Sequence, residues 1–198
     1  MKIYLDGCSL TYCQGLDRNL SIGHMLKNNN NCQLLDKSFP SKSNFAIVKD
    51  TWNSRFDYDI FILGFTYSDR ITINFRDKEF HLHPSVSYRK VDYQKFHDVS
   101  IEESLAMIHK GAYSLYEQSF YKNQSDCMVD MLITKLKSLE KIVIPFSWEK
   151  RNTDWEIFYP IYGQEYRISE SDQHLNQKGA TDLCYILQTK MIEQIHAK

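Results

Sequence analysis

Three residues at opposite ends of the chain carry the first chemical signal. Near the N-terminus, Asp6-Gly7-Cys8-Ser9-Leu10-Thr11-Tyr12 puts a serine where an apolar strand hands over to a helix. Backbone N–H groups at a helix start favour developing negative charge. A hydroxyl attacks poorly unless a base takes its proton. The candidate base lies in Ser171-Asp172-Gln173-His174-Leu175-Asn176, just before the last predicted helix. Two-residue spacing lets the Asp172 carboxylate reach the His174 imidazole, fix its tautomer and stabilise the imidazolium. Serine, aspartate, histidine is a known order for a triad, and the missing G-x-S-x-G elbow argues against the α/β-hydrolase fold. Taken singly, Ser9 reads as a helix cap and His174 as a surface or capping histidine. Their joint occurrence, in order and at the two ends, favours chemistry.

These residues resemble the SGNH, or GDSL, hydrolase family. Gly7-Cys8-Ser9-Leu10 stands where the family has G-D-S-L, with Cys8 in place of the aspartate. The continuation Thr11-Tyr12-Cys13-Gln14-Gly15-Leu16 is similar to members that read T-Y-G-x-G-L. The last block resembles D-x-H-x-N-x-x-G, its aspartate two residues before His174 and Ser171 at the three-before position. The resemblance implies a three-layer α/β/α sandwich with a flavodoxin-like central parallel sheet, as one domain over 1–198. It also implies oxyanion donors: the N–H groups of Ser9 and Ser41, and a side chain. Pro40-Ser41-Lys42-Ser43-Asn44 looks like a P-G-x-S-N block, with Ser41 where glycine is usual and a positive φ is harder to adopt. Thr66 of Gly64-Phe65-Thr66-Tyr67 stands at the asparagine of G-x-N-D; its hydroxyl donates one bond and reaches less far than an amide. Asn44 is an alternative donor.

The implied activity is cleavage of a small O-acyl ester, such as an acetyl group on a carbohydrate, through an acyl-enzyme and with no cofactor or metal. Acyl transfer to a sugar hydroxyl on the same triad stays open. So does a non-catalytic scaffold that binds a glycan or a protein.

Positioning these residues requires alternating strands and helices. Lys2–Asp6 and Cys32–Leu35 read as short strands; Asp59–Phe65 and Lys141–Phe146 are nearly all apolar, as strands buried on both faces are. Helices are predicted over 16–27, over 43–52 with Ala46, Ile47 and Trp52 inward, and before Lys141, the last containing Val129, Leu132, Ile133, Leu136 and Leu139. Another covers 176–195, and Asn28–Asn31 should close a helix in a left-handed turn. Such alternation points to a parallel sheet covered on both faces. Between 70 and 100 the pattern breaks into a β-hairpin or an irregular excursion. A long amphipathic helix follows from Ile101 to Tyr116. In open α/β sheets, ligands sit beyond the carboxyl ends of the strands.

Secondary candidates cluster there too. Arg70 would bind a substrate carboxylate or phosphate, or form an ordinary ion pair with neighbours such as Asp69. Trp148 and Trp155 would line a substrate wall or pack a loop. His81 and His83 read as surface histidines rather than metal ligands, and Cys8 as core packing rather than a thiol nucleophile. Twenty-four basic against 25 acidic residues leave a net charge of −1, with no basic excess for tracking phosphates, so nucleic acid is not the expected partner. No apolar run approaches the roughly 20 residues of a membrane span, and the N-terminus reads as a strand rather than a signal peptide. The expected compartment is the cytoplasm. Five cysteines without a CxxC pair suggest neither a disulfide framework nor a zinc site. The oligomeric state is not encoded in any of these features.

Overall fold

The computed structural model describes residues 1–75, 78–82, 118–160 and 163–197. Its strands are β1 (Lys2–Gly7), β2 (Gln33–Asp36), β3 (Ile60–Phe65), β4 (Ile71–Phe75), β5 (Lys78–Leu82) and β6 (Ile142–Ser147). Its α-helices are α1 (Ser9–Tyr12), α2 (Ile22–Asn30), α3 (Asn44–Asn53), α4 (Gln118–Ser138) and α5 (Gln177–His196). Four strands pair in parallel in the order β2-β1-β3-β6. β4 and β5 form a separate antiparallel hairpin. The amphipathic helix expected at 101–116, His83 and the rest of 83–100 lie outside the described residues.

The two faces of the sheet are read off the period of two along each strand. Ile3, Leu5, Ile60, Ile62, Ile144 and Phe146 point to one face, where α2 and α5 supply Ile22, Leu26, Leu183, Leu187 and Met191. Tyr4, Phe61, Leu63, Phe65 and Val143 point to the other, covered by Ile47 of α3 and by Val129, Leu132, Ile133 and Leu136 of α4. Helices on both faces of a parallel sheet make a three-layer α/β/α sandwich, the expected class. Every residue of β3 and β6 is buried, as their unbroken apolar runs require.

Three local differences from the sequence reading have clear causes. The helix expected from Leu16 begins at Ile22, because Asp17 accepts from the Asn19 N–H and starts a 3-10 turn before Ser21 caps α2. Asn31 then ends α2 in the left-handed conformation, at φ 44°. Trp52 is 50% exposed, not inward: Thr51 takes the buried position one turn after Ile47, which rotates Trp52 outward onto Phe56. Leu139 follows the end of α4 and is exposed. Among the described residues, no helix is long and apolar enough to cross a membrane.

Candidate active site

Ser9 sits beyond the carboxyl end of β1, an interior strand of the sheet. Gly7 pairs with Gly64 of β3, and the Thr11 side chain fills the space that a Cβ on either glycine would occupy. That close approach lets the chain turn straight from strand into α1. Cys8, not Ser9, is the N-cap of α1, and it makes no side-chain cap bond. Ser9 is therefore the first helical residue, and the capping alternative is not what the structure has. It is 5% exposed, and its Oγ makes no hydrogen bond among the described residues. Cys8 is buried with Leu10 and Cys13 in the core. Burial also pushes the Cys13 thiol up to about 12 and the Cys184 thiol to about 11, so both are packing groups.

The histidine block forms a narrow ribbon. Arg167 bridges Leu175 antiparallel, the Ile168 N–H donates to the His174 carbonyl at 2.9 Å, and the Asn176 N–H donates to the Tyr166 carbonyl at 2.9 Å. Asn176 caps α5 through the Gly179 N–H. Asp172 Oδ1 lies 2.6 Å from His174 Nδ1 and accepts the His174 backbone N–H at 3.1 Å. That backbone bond first, and the imidazole second, hold the Asp172 carboxyl below the usual carboxylate range. With Nδ1 engaged, Nε2 is the ring nitrogen left to act. Ser171, at the alternative acid position, bonds Ser169 instead. The ribbon packs back on the N-terminal block: Ile168 lies over Gly15, and Leu175 shares the core cluster of Cys8 and Leu10. No hydrogen bond joins Ser9 Oγ to His174 in this structure.

The loops on either side of Ser9 are tied down by buried charge. Ser41 adopts the left-handed conformation, φ 64°, that glycine takes without strain. Its neighbour Lys42 is 3% exposed and reaches under β1. The ammonium lies 2.6 Å from Asp6 Oδ1, 2.7 Å from Asp50 Oδ2 and 3.1 Å from the Lys37 carbonyl. Burial pushes the Asp6 carboxyl up to about 7, outweighing the pull of Lys42. On the other side, Thr66 lies two residues past Gly64, as Ser9 lies two past Gly7. Asn44 Oδ1 accepts the Thr66 N–H at 2.7 Å, and Asn44 Nδ2 donates to the Thr66 carbonyl and to Ser125 Oγ, each at 2.9 Å. Both amide hydrogens of Asn44 are thus committed; it clamps Thr66 rather than offering a free donor. Arg151 Nη2 donates to the same carbonyl, and its Nη1 pairs with Asp126 at 2.7 Å. The Thr66 hydroxyl is buried and has no hydrogen-bond partner among the described residues.

The remaining candidates separate. Trp148 is 2% exposed and packs on Phe146 in the core, so it is no substrate wall. Trp155 packs on the opposite core cluster and donates to Thr134 Oγ1. His81 stands on β5 opposite Thr72. Arg70 lies at the β3 tip with its guanidinium 5.8 Å from the Tyr67 ring centre. Among the described residues, no group of His, Cys, Asp or Glu could hold a metal ion. Reading the sequence missed Asp6, Lys42 and Arg151 as scaffolding. The one available signal was Asp6 itself, a charge ending an otherwise apolar strand, which must find a partner when buried.

No family model matches the chain, and no curated protein does. Among solved structures, the chain is similar to a psychrotrophic esterase, EstA, from Pseudoalteromonas sp., at 10% identity and a TM-score of 0.48 over 98% of each chain. It is also similar to a putative lipolytic protein of the G-D-S-L family from Desulfitobacterium hafniense, at 11% identity and a TM-score of 0.43 over 96% of this chain and 98% of that one. A third, a member of the lipolytic G-D-S-L family from Veillonella parvula, has 11% identity and a TM-score of 0.43 over 97% of this chain and 96% of that one. At such values no residue role passes from them to this chain.

Proposed function

We propose that the chain is a serine esterase of the SGNH type, acting on a small O-acyl ester, with acetyl on a carbohydrate the first substrate to try. Ser9 is the nucleophile, His174 the base through Nε2, and Asp172 the carboxylate that orients it. The observation that carries this reading is the 2.6 Å contact of Asp172 with His174 Nδ1, on a ribbon packed against the N-terminal block whose Ser9 hydroxyl is otherwise unbonded.

In the first step Ser9 Oγ attacks the ester carbonyl and His174 accepts its proton. The negative oxygen is held by the Ser9 and Ser41 N–H groups and the Thr66 hydroxyl, whose backbone Asn44 and Arg151 keep in place. His174 returns the proton to the departing alcohol. Water, deprotonated by His174, then attacks the acyl-enzyme and releases the acid and free Ser9. A sugar hydroxyl in place of water would make the same site a transferase.

A fluorophosphonate probe should label the wild-type protein at Ser9 and fail on Ser9→Ala. Equal labelling of both removes Ser9 as nucleophile. Acetate release from an acetylated sugar without an added acceptor assigns hydrolysis over transfer. A folded protein with neither labelling nor turnover is a binding scaffold.

A further inference from the structure

Beside the proposed catalytic residues lies a second feature that the acyl-transfer scheme does not use. A cleft of about 220 Å³ opens between the β3 tip, β4, α3 and α4. Arg70, Ser125, Gln124, Tyr121, Phe45 and Met128 line it. Arg70 is the one charged residue among its described lining, and no lining carboxylate balances it. The Nε and Nη1 atoms of Arg70 are buried and have no hydrogen-bond partner among the described residues. Leaving charged donors buried and unbonded is costly, and native structures avoid it.

A second donor is left over in the same cleft. Ser125 is 4% exposed, and its Oγ accepts from Asn44 Nδ2 at 2.9 Å and from Arg151 Nη1 at 3.0 Å. With both lone pairs used, the hydroxyl proton remains to be donated, and no described group accepts it. Of the nearby anions, Glu149 accepts from the Ser68 N–H and hydroxyl and Asp126 from Arg151, while Asp69, next to Arg70, feels the guanidinium charge, which pulls its carboxyl down against the upward push of burial. A cation with two unbonded nitrogens and a spare hydroxyl proton, both in the cleft lining and with no acceptor among the described residues, call for a ligand that brings anionic oxygen. A single guanidinium charge, shared in part with Asp69, matches a monoanion better than a phosphate dianion. The apolar Phe45 and Met128 suit the carbon stem behind it.

We propose that this cleft binds a carboxylate of the substrate, so that the preferred ester carries an acid group away from the reacting carbonyl. Arg70 is the specificity residue and Ser125 its neutral partner. Asn44, which lines the cleft and holds the Thr66 backbone at 2.7 Å, connects it to the side of the site assigned to Thr66, and Tyr67 lies beneath the Arg70 guanidinium. The catalytic use of the cleft rests on the esterase reading; the binding itself does not.

The test therefore begins with binding, in Ser9→Ala protein. Sodium monomethyl glutarate, a monoanion (hereafter glutarate), should bind, while its neutral dimethyl ester, of nearly the same size, should not; adding Arg70→Gln should weaken glutarate by about tenfold or more, the scale of a lost charge-assisted bond. Gln124→Glu puts a competing carboxylate on an exposed stretch of α4, where folding tolerates it, and should weaken glutarate similarly. Melting temperatures check that each variant folds. Turnover comes second, comparing 4-nitrophenyl acetate with mono-4-nitrophenyl glutarate and 4-acetoxybenzoate, which carry the acid on the acyl and alcohol sides. The kcat/KM ratio of the better acid-bearing ester to the neutral one should fall by about tenfold in Arg70→Gln. Ser9-dependent turnover indifferent to charge, or glutarate binding unchanged by Arg70→Gln, overturns the cleft and leaves the esterase standing. Arg70-dependent glutarate binding without any ester turnover keeps the cleft and removes the esterase.

Discussion

The two sides of the candidate site are held by opposite means. Ser41 and Thr66 hang from buried, long-range charge. Lys42, its side chain 4% exposed, bridges Asp6 on β1 and Asp50 on α3, and Arg151 reaches from beyond β6 to the Thr66 carbonyl and Asp126. The Asp172–His174 pair is 43% and 28% exposed, and its contacts stay within the ribbon. The difference fits the work proposed for each side. Donors that stabilise a forming oxyanion act best when they need no rearrangement, so rigid buried anchors suit them. A base that takes and returns a proton needs only its tautomer and aim, which a local carboxylate supplies.

Variants on the two sides should therefore fail differently. Asp172→Asn gives the largest effect: kcat falls by about 10⁴-fold from loss of the tautomer and orientation, while unfolding free energy changes by less than about 1 kcal/mol, as exposed pairs allow. Ester turnover and urea denaturation on the same preparation read both. A variant that keeps its rate, or one that unfolds, breaks the comparison. Lys42→Met should do the reverse. Above about pH 7, where Asp6 is ionised, it strands Asp6 and Asp50 without their cation and should cost about 3–5 kcal/mol of stability, seen as a lower urea midpoint at pH 8. A midpoint within error of wild type would mean that the buried pair is not what holds the Ser41 loop.

The same contrast explains what the sequence could be made to say. The layers were readable because β3 and β6 are unbroken apolar runs and α5 keeps its spacing of three and four. The Asp172–His174 contact was readable because both residues belong to one short segment. The anchors of Ser41 and Thr66 were not, since Asp6 with Lys42, and Thr66 with Arg151, are brought together only by the folded sheet. Asn44 shows the difficulty most clearly. Its amide looked like a donor for substrate, yet the fold turns both its hydrogens onto Thr66 and Ser125. Trp148 looked like a binding surface until the chain after β6 folded it inward.

The response to pH sharpens the comparison further, because the two carboxylates move in opposite directions. Asp6 is raised on folding from 3.8 to about 7, so between those values the folded protein holds a proton that the unfolded chain has lost. Stability contributed by this group is full below about pH 4 and declines as pH climbs through about 7. Asp172 is lowered on folding, so its contribution is present above the ordinary carboxylate range and lost as pH falls below it. Urea midpoints taken from pH 4 to 8 should show the decline in wild type, and Asp6→Asn should flatten it while leaving the acid side intact. A wild-type profile that rises across this window would contradict a raised Asp6.

The smallest effect is expected at Ser41, where the buried side of the site carries backbone strain. A left-handed serine costs about 1–2 kcal/mol relative to glycine, while glycine adds unfolded-chain entropy worth about 0.4–1 kcal/mol. Ser41→Gly should therefore raise stability by roughly 0–1.6 kcal/mol, and it preserves the N–H proposed to hold the oxyanion. Turnover should stay within about twofold of wild type if the backbone N–H is the working group. Ser41→Val keeps the N–H as well, but a β-branched residue resists φ 64°, so both the urea midpoint and kcat should drop. If glycine lowers kcat tenfold or more while the fold is stabilised, the serine hydroxyl and not the backbone is the donor, and the loop's rigid buried anchoring serves a side chain instead.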